Sequence, residues 1–168
     1  MFKKIALGLL LVLITIQFIK PEKNLSDNQT HNVAMKYPVS NEVKEILELA
    51  CYDCHSNKTT YPWYDNIQPV AWFLDHHVRE GKRELNFSGF TKLPIAVQNH
   101  KFDETIEMVE KKEMPLQSYT FLGLHKGANL TDQQRQVLIS WARNQMTLLK
   151  NQYPADSLVL RRKKVTTK

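Results

Sequence analysis

The chain has 168 residues, 42% hydrophobic and 24% charged, with only 5 Gly and 7 Pro; this excludes a disordered or collagen-like chain and fits one domain of modest size. Its 23 Lys and Arg outnumber its 17 Asp and Glu, but eight of those cations (Lys3, Lys4, Lys20, Arg161, Arg162, Lys163, Lys164 and Lys168) lie at the two ends. The body between them is close to neutral and lacks the one-sided basic stripe that phosphate neutralisation needs, so nucleic acid is not an expected partner.

From the N-terminus, residues 5–19 are apolar apart from Thr15 and Gln17 and follow Lys3 and Lys4, the pattern of a targeting segment. At about 1.5 Å per residue the run covers about 23 Å of a hydrocarbon layer about 30 Å thick, a deficit that Phe2 and snorkelling lysines would reduce. Neither an Ala-x-Ala site nor a lipobox cysteine follows it, which favours an uncleaved signal anchor over a cleaved signal peptide. The expectation is an N-terminal transmembrane or signal-anchor helix over 1–20, with the positive end in the cytoplasm and the rest of the chain outside. Residues 21–37 are polar with neither hydrophobic period, as in a linker. A domain is expected over 38–160, followed by a basic tail over 161–168.

Within that domain Ser40 is placed to cap a helix with Glu42 in its first turn. Val43, Ile46, Leu47, Ala50, Cys51 and Cys54 then recur at three- and four-residue steps, one apolar stripe. The chain's two cysteines fall in Cys51-Tyr52-Asp53-Cys54-His55. A c-type haem needs two thiols on one helical face to reach its two vinyl groups, and an imidazole directly after the second thiol to coordinate the iron. This pentapeptide has that spacing. Three other chemistries use the same residues. A structural zinc site wants four ligands, and the adjacent His76 and His77 are the only further pair. A thioredoxin-like pair belongs at a strand-to-helix turn, and no Val/Ile-rich strand precedes Cys51. A disulfide closing so small a loop stabilises little and has no use for His55.

Further along, the aromatic run Tyr61-Pro62-Trp63-Tyr64 with Trp72 and Phe73 could wall a flat apolar cofactor or simply pack a core. Pro69 opens a short helix leading to His76 and His77. Arg79, Lys82 and Arg83 are candidates to offset propionates, or form a wet helix face. The acidic run 103–113 reads as a helix ended by Met114-Pro115, which disfavours α geometry at Met114 and puts its thioether on an extended strap. Met114 leads the candidates for a sixth iron ligand, ahead of His77, His100 and His125, with an open iron position as the remaining alternative. Thr131-Asp-Gln-Gln134 is a capping box opening a last helix that buries Val137, Leu138, Trp141, Ala142 and Leu149.

Taken in order, Cys51 through Asn57, Thr60 through Tyr64, Ile67 through Val70, His77 through Gly81, Leu85 through Ser88, Met114 through Tyr119, His125 and Leu130 through Trp141 resemble the small bacterial haem-binding domain family of membrane-anchored, single-haem c-type cytochromes. Lys82 and Phe90 depart from it, where Arg and Trp are expected. The resemblance implies thioether bonds at Cys51 and Cys54, proximal His55 and distal Met114. It also implies an all-α, cytochrome c-like domain around one covalent haem c, anchored in the bacterial inner membrane and facing the periplasm. Such a domain would exchange single electrons with redox partner proteins. The rival class is a haem enzyme or sensor, peroxidase-like or gas-binding, whose distal site is open or opened when Met114 leaves, with His100 or His125 as polar helper.

Overall fold

The computed structural model describes residues 1–121, 125 and 127–160; the expected basic tail over 161–168 lies outside them. Among the described residues the regular structure is helical, and the one β feature is an isolated bridge between Leu25 and Lys58. The helices are α1 (Phe2–Ile16), α2 (Asn41–Ala50), α3 (Tyr52–His55), α4 (Val70–Glu84), α5 (Ile95–Glu110), α6 (Gln117–Thr120) and α7 (Asp132–Gln152), with short 3-10 turns between several of them.

Local chemistry sets the helix starts. Ser40 caps α2 by accepting the amide of Val43, and the Thr131–Gln134 capping box opens α7 with both of its reciprocal bonds made, each relieving a backbone donor that a helix start leaves unpaired. α5 begins at Ile95, directly after Pro94, well before the acidic run that marks it in the sequence. It ends in a Schellman motif. The amide of Glu113 donates to the carbonyl of Met108 (3.0 Å) and that of Lys112 to Val109 (3.2 Å), with Lys112 in the left-handed region at φ 58° where glycine is usual.

α7 packs mainly against α5 and also against α2. Phe102 of α5 sits at the centre of this core, edge-on to Tyr37 (4.9 Å) and Trp141 (5.5 Å) and tilted against Phe90 (4.8 Å). The Trp141 indole N–H donates to the Pro38 carbonyl at 2.8 Å, so the largest ring in the core leaves no polar group unpaired. Val33 and Tyr37, at the end of the stretch read as a linker, are both buried here.

The expected transmembrane helix requires correction. α1 stops at Ile16 after 15 residues, and among the described residues no helix is long and apolar enough to cross a membrane. The residues that follow it make contacts elsewhere in the fold. Gln17 accepts the amide of Gln68 (2.9 Å), and the carbonyl of Ile19 accepts from Gln68 Nε2 (2.8 Å) and from the Trp72 indole (3.0 Å). The end of the apolar run is thus tied to the start of α4. With the spanning helix goes the expected inner-membrane anchorage and the periplasmic placement that depended on it.

Candidate functional site

A cavity of about 500 Å³ opens between α3, α4, α5 and the segment that follows α5, within the size range of small-molecule and cofactor sites. Cys51, Cys54, His55 and Met114 all line it.

One wall is the cysteine pentapeptide. α2 ends at Ala50, Cys51 departs from helical geometry, and α3 resumes for one turn carrying Cys54 and His55. Gly81 of α4 makes the close approach possible: a Cβ there would lie 2.7 Å from the Cys54 carbonyl oxygen and 2.9 Å from its Cβ. His55 Nδ1 is 2.9 Å from the carbonyl of Leu85. A carbonyl only accepts, so the ring proton resides on Nδ1 and the Nε2 lone pair is free to ligate. Burial lowers the His55 pKa from its ordinary value, against the opposing pull of the Leu85 and Gly81 carbonyls, and favours this neutral form. The thiols are shifted the other way. Burial pushes Cys51 up to about 12, reinforced by Cys54, and Cys54 up to about 11, reinforced by Asp53. A thioredoxin-like pair needs a depressed thiol pKa, so this environment is the wrong one for it. No group of three or more His, Cys, Asp or Glu among the described residues is arranged to hold a metal ion, as a structural zinc site would require.

Another part of the lining is the segment after α5. The amide of Met114 donates to the Met108 carbonyl (3.2 Å), and the Met114 carbonyl accepts from Arg135 Nη1 (2.8 Å). Pro115, Leu116 and Tyr119 continue the wall. Tyr119 donates to Asp53 Oδ2 at 2.6 Å, tying this wall to the pentapeptide; burial, aided by that carboxylate, raises the phenol pKa.

The other candidates scatter. His76 and His77 border the cavity from α4, and His77 Nδ1 faces the Phe73 carbonyl (2.8 Å), which leaves its Nε2 unprotonated, as in His55. His100 lies outside the lining and pairs with Glu104 (3.0 Å). His125 also lies outside it, stacked on Tyr119, with Nδ1 directed at the Tyr119 carbonyl (2.8 Å) and Nε2 facing the Tyr64 hydroxyl (3.3 Å). None of Tyr61, Trp63, Tyr64, Trp72 and Phe73 lines the cavity, and Trp63 is 75% exposed; the aromatic wall consists of Phe87 and Tyr119. Arg79 and Arg83 pair with acids of their own helix and Lys82 with Asn24. The cation among the described lining residues is Lys101, which is bonded to Glu104 (2.6 Å) with its side chain 16% exposed. Sequence reasoning missed both Lys101 and Arg135. Arg135 left a trace, for it stands on the same buried stripe of α7 as Leu138, Ala142, Gln145 and Leu149, where a cation is out of place.

The cavity suits a haem on this chemistry: two neutral thiols side by side, an imidazole with a free Nε2, a thioether, and a lining more apolar than polar. No curated protein and no solved structure matches the chain. A family model of the haem-binding domain matches residues 11–144, most of the sequence and every residue that frames the cavity. The chain belongs to the haem-binding domain family and is a haem-binding protein.

Proposed function

We propose that this protein is a c-type cytochrome-like electron carrier, holding one covalent haem c and exchanging single electrons with redox partner proteins. The observation that carries the reading is the convergence of Cys51, Cys54, His55 and Met114 on one cavity, although Met114 is remote in sequence from the other three. Cys51 and Cys54 would form the two thioether bonds, and the lone pair of His55 Nε2 and the Met114 sulfur would be the ligands to the iron. When bound, the haem would supply the one-electron iron couple, and ligation by methionine and histidine would raise its potential relative to two histidines. Lys101 would meet a propionate. The Leu85 carbonyl holds the His55 ring and the Met108 carbonyl holds the Met114 backbone, so the protein has little to rearrange as charge comes and goes. The enzyme or sensor reading has less behind it, because neither His100 nor His125 borders the cavity.

Expression with the bacterial haem-attachment machinery tests this. The expected product is red, gains the mass of one haem, stays stained for haem on a denaturing gel, and shows in its ferric form the weak long-wavelength charge-transfer band of a methionine sulfur on iron. Cys51→Ala with Cys54→Ala should abolish the covalent stain, and Met114→Ala the band. A colourless product, or colour that leaves on denaturation, overturns covalent attachment. A reduced protein that takes up carbon monoxide readily points to the enzyme or sensor class.

A further inference from the structure

Arg135 is the fourth residue of α7, after the Thr131 cap. That is a poor place for a cation, since a helix N-terminus already carries partial positive charge. It is nonetheless buried, at 8% exposure, and a buried charge needs compensation. The compensation comes from the negative pole of another helix. Arg135 Nη1 donates to the carbonyl of Val109 (3.3 Å), in the last turn of α5, and more closely to that of Met114 (2.8 Å).

The shorter bond reaches beyond the helix end. The Schellman motif already satisfies Met108 and Val109 through the amides of Glu113 and Lys112, so α5 does not need the guanidinium in order to stop. The Met114 carbonyl, by contrast, precedes a proline and lies outside any helix. With its amide on Met108 and its carbonyl on Arg135, Met114 has both backbone polar groups fixed, one to α5 and the other to α7, while its side chain borders the cavity. A thioether is a neutral ligand, and its hold on a metal depends on being presented ready-placed.

On the reading that Met114 ligates the haem iron, we infer that Arg135 is the positioning residue of the distal ligand: a buried guanidinium on α7 that fixes the Met114 carbonyl and so aims its sulfur into the cavity. Arg135 does not line the cavity and would act through the strap. Outer-sphere partners of metal ligands typically contribute 10- to 100-fold in affinity when removed, which sets the scale of the effect.

The test uses the haem-loaded full chain, comparing wild type with Arg135→Met and Arg135→Lys. The expected result for Arg135→Met is loss of at least half the sulfur-to-iron charge-transfer intensity and at least tenfold tighter binding of imidazole to the ferric protein, with helix content unchanged by circular dichroism. Arg135→Lys keeps the charge and N–H donors but loses the planar guanidinium and should fall between the two; it also serves if Arg135→Met fails to fold. A wild-type protein without the band overturns the Met114 reading and this inference together. A wild-type band that both folded variants keep at full intensity, with imidazole affinity unchanged, overturns the inference alone. A band diminished only in proportion to lost helix content would assign Arg135 a purely structural role, and overturns it as well.

Discussion

The two walls of the cavity are built in opposite ways. The wall of Cys51, Cys54 and His55 comes from five consecutive residues, and its supports, Gly81 and Leu85, lie one turn apart at the end of α4. The wall of Met114 is an irregular segment held by backbone bonds to α5 and by a buried cation from α7. The first is fixed by steric contact and a histidine tautomer, the second by the pairing of two carbonyls with one guanidinium. A wall made from a contiguous motif tolerates little change in its own backbone, whereas a strap hung between two helices depends on where those helices begin and end.

The largest expected effect falls on the first wall. Gly81→Ala would put a methyl group within 2.7 Å of the Cys54 carbonyl oxygen; overpacking costs about 1–3 kcal/mol against a helix-propensity gain of about 1. Thermal denaturation should show a net loss of up to about 2 kcal/mol together with a lower yield of covalently attached haem. A stabilised variant with full haem content would show that α3 gives way freely, and the contrast between the walls would collapse.

Next comes the pH dependence of the haem-free chain. The folded state holds the Cys51 and Cys54 thiols up to about 12 and about 11, while their ordinary value is 9.0. Above pH 9 the unfolded chain therefore sheds protons that the folded chain keeps, so stability present below pH 9 is lost as pH rises. Urea midpoints measured between about pH 8 and pH 10 should fall, and Cys51→Ala with Cys54→Ala should flatten the trend. Tyr37, Tyr52 and Tyr119, all raised from 10.0 by burial, add to the fall near the upper end of this window, so the thiol contribution is read as the difference between wild type and the double variant. A slope unaltered by the double variant would place the thiols in contact with solvent.

Two smaller changes address the strap side. Thr131→Ala removes the acceptor of the Gln134 amide and should cost about 1 kcal/mol. Because it loosens the start of α7, which carries Arg135, it should weaken the sulfur-to-iron band while leaving haem attachment intact; equal loss of both would mean that the walls do not respond separately. Lys112→Gly should stabilise slightly, by about 0.5 kcal/mol. It relieves a left-handed backbone at φ 58° at a cost of about 1 kcal/mol for a side chain there, and gives up an exposed ion pair with Asp132 worth about 0.5. Denaturant midpoints decide it, and a destabilised variant would show that the ion pair holds the strap.

Much of the helical framework could be read from local signals. Ser40 and the Thr131–Gln134 box act on backbone donors three residues away, and both helices begin where those residues place them. The stripe of Val43, Ile46 and Leu47 is buried, because helical periodicity is a property of adjacent turns. The cavity-forming pentapeptide was legible for the same reason, its two thiols and imidazole lying within five consecutive residues. α5 was only half visible, since Ile95 through Phe102 lack a side-chain cap and show a weak apolar stripe, and their helix is secured by packing on Tyr37, Phe90 and Trp141. The aromatic run at Tyr61–Tyr64 misled because ring content does not say which way a loop faces; Trp63 turned outward.

The sequence by itself determined the helix starts, the apolar stripes, and the thiol–thiol–imidazole spacing, because each depends on residues within a few positions of one another. Only the tertiary structure decided that Gln17 and Ile19, beyond the end of α1, bond to Gln68 and Trp72. It also decided that Phe87 and Tyr119 form the aromatic wall, that Lys101 borders the cavity, and that Arg135 reaches the carbonyl of Met114. Those are meetings between residues far apart in the chain, and a backbone carbonyl carries no side-chain identity by which a sequence could announce its partner.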